Sequence, residues 1–270
     1  QLAPSGITER ELERQMNERK SAPQALTIVG PGRVGSSIAN AAEKAGVTVN
    51  LVSREFTASQ VDSEAVLLCV PDSEIVPAAE RIAALAATPR MLGHTSGATG
   101  LEPLRAAAAP AVFSMHPLQT VPTPDTDLSG CPAAVAGSTP DAVEFATRLA
   151  RKINLMPFEV DEKDRATYHA AASVASNYLV TLEQTAASML EGIGVKEPRR
   201  VLAPLVRRSL SNWEELGAAA ITGPIVRGDE GTVEAHRSAL ATTNPDLLEM
   251  YDAMADRTRA MVSLNGADPE

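Results

Sequence analysis

Residues 30–35 read Gly30-Pro31-Gly32-Arg33-Val34-Gly35, a G-x-G-x-x-G pattern that directly follows the apolar run Ala25–Val29. Between a buried strand and a helix, this pattern is typical of a turn that binds a dinucleotide. Gly30 permits the tight turn, Gly32 lets the backbone approach a pyrophosphate, and Gly35 allows the helix to pack closely on the strand. The amides at the helix N-terminus favour a bound phosphate. The stretch therefore predicts a cofactor site formed by all six residues; a glycine turn without a ligand is the alternative.

Outward from this turn, short apolar runs alternate with helical stretches as far as about Val160. The runs are continuous, which is typical of strands that are buried on both faces of a parallel sheet. We predict strands over Ala25–Gly30, Val47–Val52, Ala65–Val70, Met91–Thr95, Val112–Met115 and Ala133–Ala136, and helices over Val34–Ala45, Ser73–Ala87 and Ala142–Lys152. This order predicts a doubly wound, mostly parallel α/β domain over residues 25–160, preceded by a charged extension over residues 1–24.

The character of the chain changes after Asp161. The Ala- and Leu-rich stretches Asp164–Glu191 and Arg199–Leu216 carry helical periodicity and almost no strand signal. We therefore expect an all-helical second domain over residues 161–270.

Composition restricts the function further. The net charge of −10 over 270 residues argues against a nucleic-acid-binding protein, because phosphate binding needs a concentrated basic surface. The two cysteines, Cys69 and Cys131, do not have metal-ligand spacing, and we expect no metal site. No apolar stretch is long enough for a membrane span, and no secretory signal is visible. We expect a protein of the reducing cytoplasm.

The end of the second strand bears on the choice of cofactor. NAD sites usually place a carboxylate there for the ribose hydroxyls, whereas this chain has Val52-Ser53-Arg54. The hydroxyl of Ser53 and the guanidinium of Arg54 suit a 2′-phosphate, which a carboxylate would repel. These residues predict NADP; the alternative is a surface arginine beside Glu55, which would then bind the ribose.

Polar residues follow several later strands. Strand ends are where ligands bind in open α/β sheets. We expect Val70 and Pro71 to support the cofactor, and Ser96 to hydrogen-bond the nicotinamide amide or a substrate, or else to cap a helix. His94 and His116 both end predicted strands, so each is a candidate for substrate binding or catalysis, with an ordinary structural histidine as the alternative.

A second set of candidates lies at the start of the helical region. His169, Ser173 and Asn177 recur at i, i+4 and i+8, and form one polar stripe on a helix that is otherwise small and apolar. Beside a nicotinamide, His169 could protonate a developing alkoxide while the other two hold the substrate. The alternative is a ladder of helix-packing hydrogen bonds. Further along, Arg227 could bind a substrate carboxylate, or pair with Asp229.

Taken together, these motifs resemble oxidoreductases that combine a Rossmann domain with a helical domain of the 6-phosphogluconate dehydrogenase type. The likeness is closest to bacterial Rossmann-like proteins whose C-terminal domain has no known function. The segments that carry it are Gly30–Gly35, Val70–Asp72, Gly93–Gly97, Met115–Pro117, His169–Asn177 and Gly223–Asp229. The resemblance implies dimerisation through the helical domain, as a homodimer. It extends to pyrroline-carboxylate reductase and to the two families that follow.

Two partial likenesses bear on the reaction. Ketopantoate reductases carry a Lys and two Asn at the spacing that His169, Ser173 and Asn177 have here, so the last residue matches and the Lys is absent. Prephenate dehydrogenases carry a His-Pro pair like His116-Pro117 and a Ser near the place of Ser96, which implies a substrate-polarising role for His116.

The leading hypothesis is hydride transfer between NADP(H) and a small carbonyl substrate, with a 2-oxo acid such as ketopantoate as the best candidate. His169 is the first choice for acid–base chemistry and His116 the second. Two alternatives remain open: a non-catalytic NADP-binding sensor or scaffold, which the missing Lys favours, and an enzyme that acts on an imine or a cyclohexadienol.

Overall fold

The computed structural model describes residues 23–61, 63–85, 88–107 and 109–265. The chain divides into two compact units, of which one ends at Ser176 and the other begins at Asn177. The extension predicted over residues 1–24 lies outside the described residues, apart from its last two.

Among the described residues, the first unit contains a seven-stranded sheet in the order β2-β1-β3-β4-β5-β6-β7. Its strands are β1 Ala25–Val29, β2 Thr48–Val52, β3 Ala65–Leu68, β4 Met91–His94, β5 Ala111–Pro117, β6 Pro132–Gly137 and β7 Met156–Glu159. The first five strands in the sheet order are parallel, β6 runs antiparallel to β5, and β7 is parallel to β6. This confirms the doubly wound, mostly parallel α/β fold.

Helices cover both faces of this sheet. The first unit has helices α1 Arg33–Lys44, α2 Ala58–Val61, α3 Ile75–Ala84, α4 Pro140–Lys152 and α5 Arg165–Ser173. Apolar residues of α1 and α4 share one core with Leu26, Ile28 and Phe113. Apolar residues of α3 form a second core with Val29 and Leu68. All four residues of β3 are buried, as expected for a strand between two helical layers.

One strand and one α-helix of the first unit were not predicted. Strand β7 is mostly exposed and contains Pro157, so it lacks the continuous apolar run that marked the other strands. It lies at the edge of the sheet, where a proline is tolerated because one side of the strand has no partner. The four-residue helix α2 is too short to show a helical period. The helix predicted from Ser73 begins as a 3₁₀ turn, and its predicted end at residue 87 lies outside the described residues.

The second unit contains only helices and turns within its described residues, which confirms the helical C-terminal region. Its α-helices are α6 Leu179–Gly192, α7 Pro198–Leu216, α8 Glu230–Thr243 and α9 Leu248–Asn265. Pro198 opens α7, where its missing N–H costs nothing, and Gly217 ends it with a φ of +57°. Each helix within the described ranges is too short or too polar to span a bilayer.

The predicted long helix over Asp164–Glu191 is interrupted. It consists of α5, a π-helical turn at Val174–Tyr178, and α6. The first unit also extends further than the sequence boundary near residue 160, because α5 belongs to it through Ser173. The buried Arg165 at the start of α5 contacts residues of β5 and of the loop after β4, which explains why this helix groups with the sheet.

Candidate functional site

The glycine turn after β1 is shaped so that only glycine fits at two of its positions. Gly30 has a φ of +108°, and a Cβ there would lie 2.4 Å from the carbonyl oxygen of Cys69. A Cβ on Gly35 would lie 2.0 Å from the carbonyl oxygen of Gly30. The amide of Gly30 donates a hydrogen bond of 2.8 Å to the carbonyl of Val52, which ties the turn to the end of β2. The sequence motif is thus required by backbone geometry.

In contrast, Gly32 faces open space. It is the N-cap of α1, and a Cβ there would have no neighbour within 4 Å among the described residues. No side chain among the described residues caps the N-terminus of this helix. The first-turn amides are therefore available to an anionic ligand, and the positive end of the helix dipole points the same way. Open space with uncapped amides fits a pyrophosphate.

The predicted 2′-phosphate site follows β2. Ser53 and Arg54 are both exposed. The alternative ribose ligand, Glu55, has its carboxylate 3.2 Å from Nη1 of Arg81, and its amide donates to the hydroxyl of Ser53. Because this carboxylate already faces a guanidinium, its negative charge is partly compensated and opposes a phosphate on Arg54 less strongly.

Next to the glycine turn, the loops after β3 and β4 are joined. Val70 packs beside Gly30, where an added Cβ would lie 3.2 Å from its Cγ1. Pro71 is exposed and precedes a 3₁₀ turn that begins at Asp72. The hydroxyl of Ser96 donates to the Asp72 carboxylate over 2.9 Å and accepts from the amide of Thr99. Ser96 therefore closes the turn after β4 and fixes it to the loop after β3, so its hydroxyl is engaged within the protein.

His94 also holds this loop in place. It is fully buried, and its Nδ1 accepts a hydrogen bond from the amide of Ser96. Its Nε2 consequently carries the proton and donates to the carbonyl of Gly100 over 2.9 Å. Burial lowers the pKa of His94, so the ring is neutral at pH 7. Both ring nitrogens of His94 are therefore engaged within the protein, and neither is free to hydrogen-bond a substrate.

The structure brings His116 and His169 together around Gly97. Their ring centroids are 6.0 Å apart. A Cβ added to Gly97 would lie 2.6 Å from Cδ2 of His169 and 2.9 Å from both Cε1 and Nε2 of His116. His116 is near the end of β5, and His169 projects from α5. Two histidines separated by a residue without a side chain form the centre of the candidate site.

Tyr168 contacts His116 at Nδ1, whereas Nε2 of the same ring lies beside Gly97. Its hydroxyl lies 2.6 Å from Nδ1 of His116, and the two rings are nearly perpendicular. Burial lowers the pKa of His116 to about 4, and the nearby His169 and Arg165 act in the same direction. Burial also raises the pKa of the Tyr168 phenol to about 12. At pH 7 both groups are therefore neutral and joined by a hydrogen bond.

Arg165, like Tyr168, is a site residue that the sequence analysis did not indicate. Its side chain is 2% exposed, and its Nη1 donates to Ser114 over 2.7 Å while Nη2 donates to the carbonyl of Ser96 over 2.6 Å. The nearest carboxylate belongs to Glu162, 3.8 Å away, which also accepts from the amide of Leu101. Burial lowers the pKa of Arg165. The arginine thus joins α5, β5 and the loop after β4.

The three remaining candidates, Ser173, Asn177 and Arg227, lie on three different elements. Ser173 shares α5 with His169, four residues further along, and is half-buried. Asn177 lies in the π-helical turn and begins the second unit, so the regular α-helical stripe holds only for the first pair. Arg227 lies in a turn of the second unit, and Asp229 caps α8 through Thr232. Their roles stay predictions.

Signals for the missed residues were present but weak. Arg165 follows the charged run Asp161–Asp164, which resembles a solvated loop. Tyr168 is one of only three tyrosines in the chain, and it immediately precedes His169. A scarce aromatic residue with a polar tip beside a candidate histidine was a usable hint. Its partner, however, lies 52 positions away in the sequence.

Comparison with known proteins supports the fold. Residues 131–258 match the family model described as domain of unknown function DUF2520. No curated protein sequence matches the chain. Among solved structures, it is similar to a candidate NADP oxidoreductase from Bacteroides fragilis, with a TM-score of 0.73 and 18% identity over 88% of this chain and 98% of that one.

Two further structures illustrate the breadth of the likeness. A protein from Thermotoga maritima has a TM-score of 0.71 and 21% identity over 89% of this chain and 99% of its own. The pyrroline carboxylate reductase of Plasmodium falciparum, solved with NADP bound, has a TM-score of 0.58 and 11% identity over 88% of this chain and 98% of its own. At such identities the likeness is one of fold. The chain therefore has a Rossmann-like fold followed by a helical region, and residues 131–258 carry the match to the domain of unknown function that the sequence resemblance indicated.

Proposed function

We propose that this protein is an NADP-dependent oxidoreductase whose first unit binds the cofactor along the carboxyl edge of the parallel strands. The observation that carries the proposal is a row of neighbouring residues along this edge. It runs from Gly30 to Val70, from Asp72 to Ser96, and from Gly97 to the histidine pair. A turn suited to a pyrophosphate is thereby linked to ionisable side chains at the edge where ligands bind in such sheets.

The binding roles follow from the contacts. The uncapped amides after Gly32 would hold the pyrophosphate, and Ser53 with Arg54 would hold the 2′-phosphate. Val70 and Pro71 would support the nicotinamide half. When bound, NADPH supplies a hydride, which reduces a carbonyl carbon to an alcohol once a proton reaches the oxygen.

The two histidines suit different tasks. A group with a pKa near 4 is a poor proton donor at pH 7, because hardly any of it is protonated. His116 is therefore assigned the role of a neutral hydrogen-bond donor to the substrate oxygen. His169 is assigned proton transfer to that oxygen, and it then regains a proton from solvent. Electrostatic stabilisation by a neutral donor and proton transfer by a second group are complementary contributions.

For the substrate, we propose a small carbonyl compound, with a 2-oxo acid such as ketopantoate as the first candidate. A neutral N–H donor suits a carbonyl oxygen, which accepts hydrogen bonds, better than a protonated imine, which carries its own N–H. Imine reduction is the second candidate, because a pyrroline carboxylate reductase shares this fold.

The test is NADPH oxidation, followed by absorbance, against a panel of 2-oxo acids that includes ketopantoate, with cyclic imines and NADH in parallel. We expect turnover with NADPH and an oxo acid. His169→Gln should abolish turnover while NADPH binding, measured by fluorescence, remains. Tight NADPH binding without turnover on any carbonyl or imine would replace this proposal with the non-catalytic one. Failure to bind NADPH would overturn both.

A further inference from the structure

Among the described residues, the hydroxyl of Tyr168 is the only group that hydrogen-bonds the His116 ring, and it does so at Nδ1. A neutral imidazole carries its proton on one nitrogen, so whichever partner engages Nδ1 decides whether Nε2 is a donor or an acceptor. That choice matters here because Nε2 is the nitrogen beside Gly97, on the side that His169 also faces.

We propose that Tyr168 is a positioning residue, which donates its hydroxyl proton to Nδ1 of His116 and thereby keeps the ring in the tautomer with the proton on Nε2. The role of this tautomer in catalysis rests on the proposed function. The tautomer itself can be measured without substrate or cofactor.

The direction of the hydrogen bond follows from the chemistry of the two groups. A phenol, with an ordinary pKa of about 10, is a better proton donor than a neutral imidazole N–H, while the lone pair of Nδ1 is a good acceptor. The separation of 2.6 Å is short, which suits a strong donor facing a strong acceptor. The reverse arrangement would place the proton on Nδ1 and turn Nε2 into an acceptor, which would repel a carbonyl oxygen.

Other groups around His116 act on its charge. His169 and Arg165 disfavour the charged ring, as does burial, while Asp72 on the loop after β3 favours it to a smaller extent. The outcome is a neutral ring, which has a tautomer to be selected. His94, which is fully buried, has the same tautomer for a different reason, since the amide of Ser96 donates to its Nδ1. A backbone amide fixes one ring, and a phenol fixes the other.

A second histidine–tyrosine pair in the described residues provides a control for the loss of the Tyr168 hydroxyl. In the helical unit, Nδ1 of His236 lies 2.9 Å from the hydroxyl of Tyr251, with ring centroids 6.0 Å apart. This pair is exposed and distant in sequence from the candidate site. Tyr251→Phe removes the same hydroxyl from the same kind of pair. It should therefore alter the signals of His236 and leave those of His116 unchanged.

The experiment is long-range proton–nitrogen correlation NMR on the ¹⁵N-labelled full chain, which distinguishes the two tautomers of each of the four histidines. His116→Gln identifies the signals of His116. We expect the native protein to show His116 with the proton on Nε2, and Tyr168→Phe to show a mixture of tautomers. A proton on Nδ1 in the native protein would overturn the proposal, and this result needs no variant to fold. An unchanged tautomer in folded Tyr168→Phe would overturn it as well.

Steady-state kinetics then test whether the tautomer of His116 affects catalysis. We expect Tyr168→Phe to lower kcat in proportion to the fraction of rings that carry the proton on Nδ1, about 2-fold for an equal mixture, with little change in KM for the substrate. These molecules lack the donor at Nε2 that stabilises the transition state. Unchanged kcat in a variant with mixed tautomers would show that Tyr168 does not position a catalytic group. If the native protein turns over no substrate, the proposed function fails, and the NMR result still decides which tautomer Tyr168 selects.

Discussion

Nη2 of Arg165 lies 2.6 Å from the backbone carbonyl oxygen of Ser96, which joins the first turn of α5 to the loop after β4. The same guanidinium donates to Ser114 on β5. Three separate segments of the first unit thus meet at one buried charge. The loop that contains Gly97 and the helix that contains His169 are held in a fixed relation by this side chain.

Replacing Arg165 should therefore cost stability. Arg165→Lys keeps the charge, but an ammonium lacks the planar fork that reaches two acceptors. We expect the free energy of unfolding to fall by about 2 kcal/mol, because a buried acceptor is left unsatisfied. Urea denaturation measures this. Arg200→Lys is the control, because Arg200 forms an exposed ion pair with Glu197, and this variant should change stability by less than about 0.5 kcal/mol. Equal losses in both variants would contradict the structural role of Arg165.

Position 97 should tolerate no side chain. In Gly97→Ala the new methyl group would lie 2.6 Å from the His169 ring, so one or both histidines must move. We expect kcat to fall by roughly 10- to 100-fold, since small displacements of catalytic groups are costly, while NADPH affinity is unchanged. Steady-state kinetics and fluorescence titration provide the two numbers. Gly192→Ala, at a helical position with open space around it, should leave both unchanged. A fully active Gly97→Ala would exclude the histidine pair from catalysis.

The choice of cofactor should depend on Arg54. Arg54→Gln removes the positive charge that we assign to the 2′-phosphate. We expect the Kd for NADPH to rise by roughly 10-fold, which corresponds to about 1.4 kcal/mol, and the Kd for NADH to stay constant. Arg90→Gln removes another exposed arginine, which lies 4.0 Å from Glu64, and is the control for overall charge. Parallel weakening of both nucleotides by Arg54→Gln would place the 2′-phosphate elsewhere.

Acid should destabilise the protein partly through His116. Its pKa is about 4 in the folded state, against about 6.5 for an ordinary histidine. Between these two pKa values the unfolded chain binds more protons at this position than the folded chain does. The contribution of His116 to the free energy of unfolding is therefore fully present above pH 6.5 and is lost as the pH falls towards 4. The groups that act on its charge are His169, Arg165, Asp72 and His94.

Urea denaturation at pH 7 and pH 5 tests this expectation. The native protein should lose on the order of 1–2 kcal/mol more than His116→Gln over this interval, since only the native protein must exclude a proton from this ring. His236→Gln, which alters an exposed histidine, should retain the native slope. An identical pH dependence in the native protein and in His116→Gln would mean that His116 is not held neutral by folding.

The predicted homodimer can be tested on α7. Val201, Leu205 and Trp213 lie on one broad side of this helix and are 56%, 65% and 63% exposed. We expect Trp213→Ser to weaken self-association by about 10-fold or more, because large aromatic residues often carry interface energy. Sedimentation equilibrium measures this effect. Met156→Ser, which removes an exposed apolar side chain from β7, should not change it. A monomeric native protein would refute the prediction.

The fold was predictable because its signals are local. The glycine turn combines a buried strand, a positive φ and a helix start within about ten residues, and each leaves its own mark on the sequence. The order of strands and helices followed from runs such as Ala65–Leu68, which must be apolar throughout because helices cover both faces. Strand β7 was missed because an exposed edge strand needs no such run.

The candidate site was less accessible to sequence reasoning. His94 and His116 look alike in the sequence, since each ends a buried strand. What separates them is the loop that follows: the turn after β4 folds back and occupies both nitrogens of His94, while Tyr168 reaches His116 from a distant helix. Such pairings depend on tertiary structure. The stripe of His169, Ser173 and Asn177 assumed a regular α-helix, and the π-helical turn breaks that regularity after Ser173.

Cys69 forms part of the wall of the glycine turn. Its carbonyl oxygen excludes a side chain at Gly30, and its Cβ would lie 3.1 Å from one at Gly35. Burial raises the pKa of its thiol to about 12, so almost none of it is thiolate at neutral pH. Oxidants and alkylating reagents react with the thiolate. We therefore expect the cysteine beside this turn to resist modification, so that the turn keeps its geometry under oxidative stress that disables enzymes with a reactive cysteine at the nucleotide site.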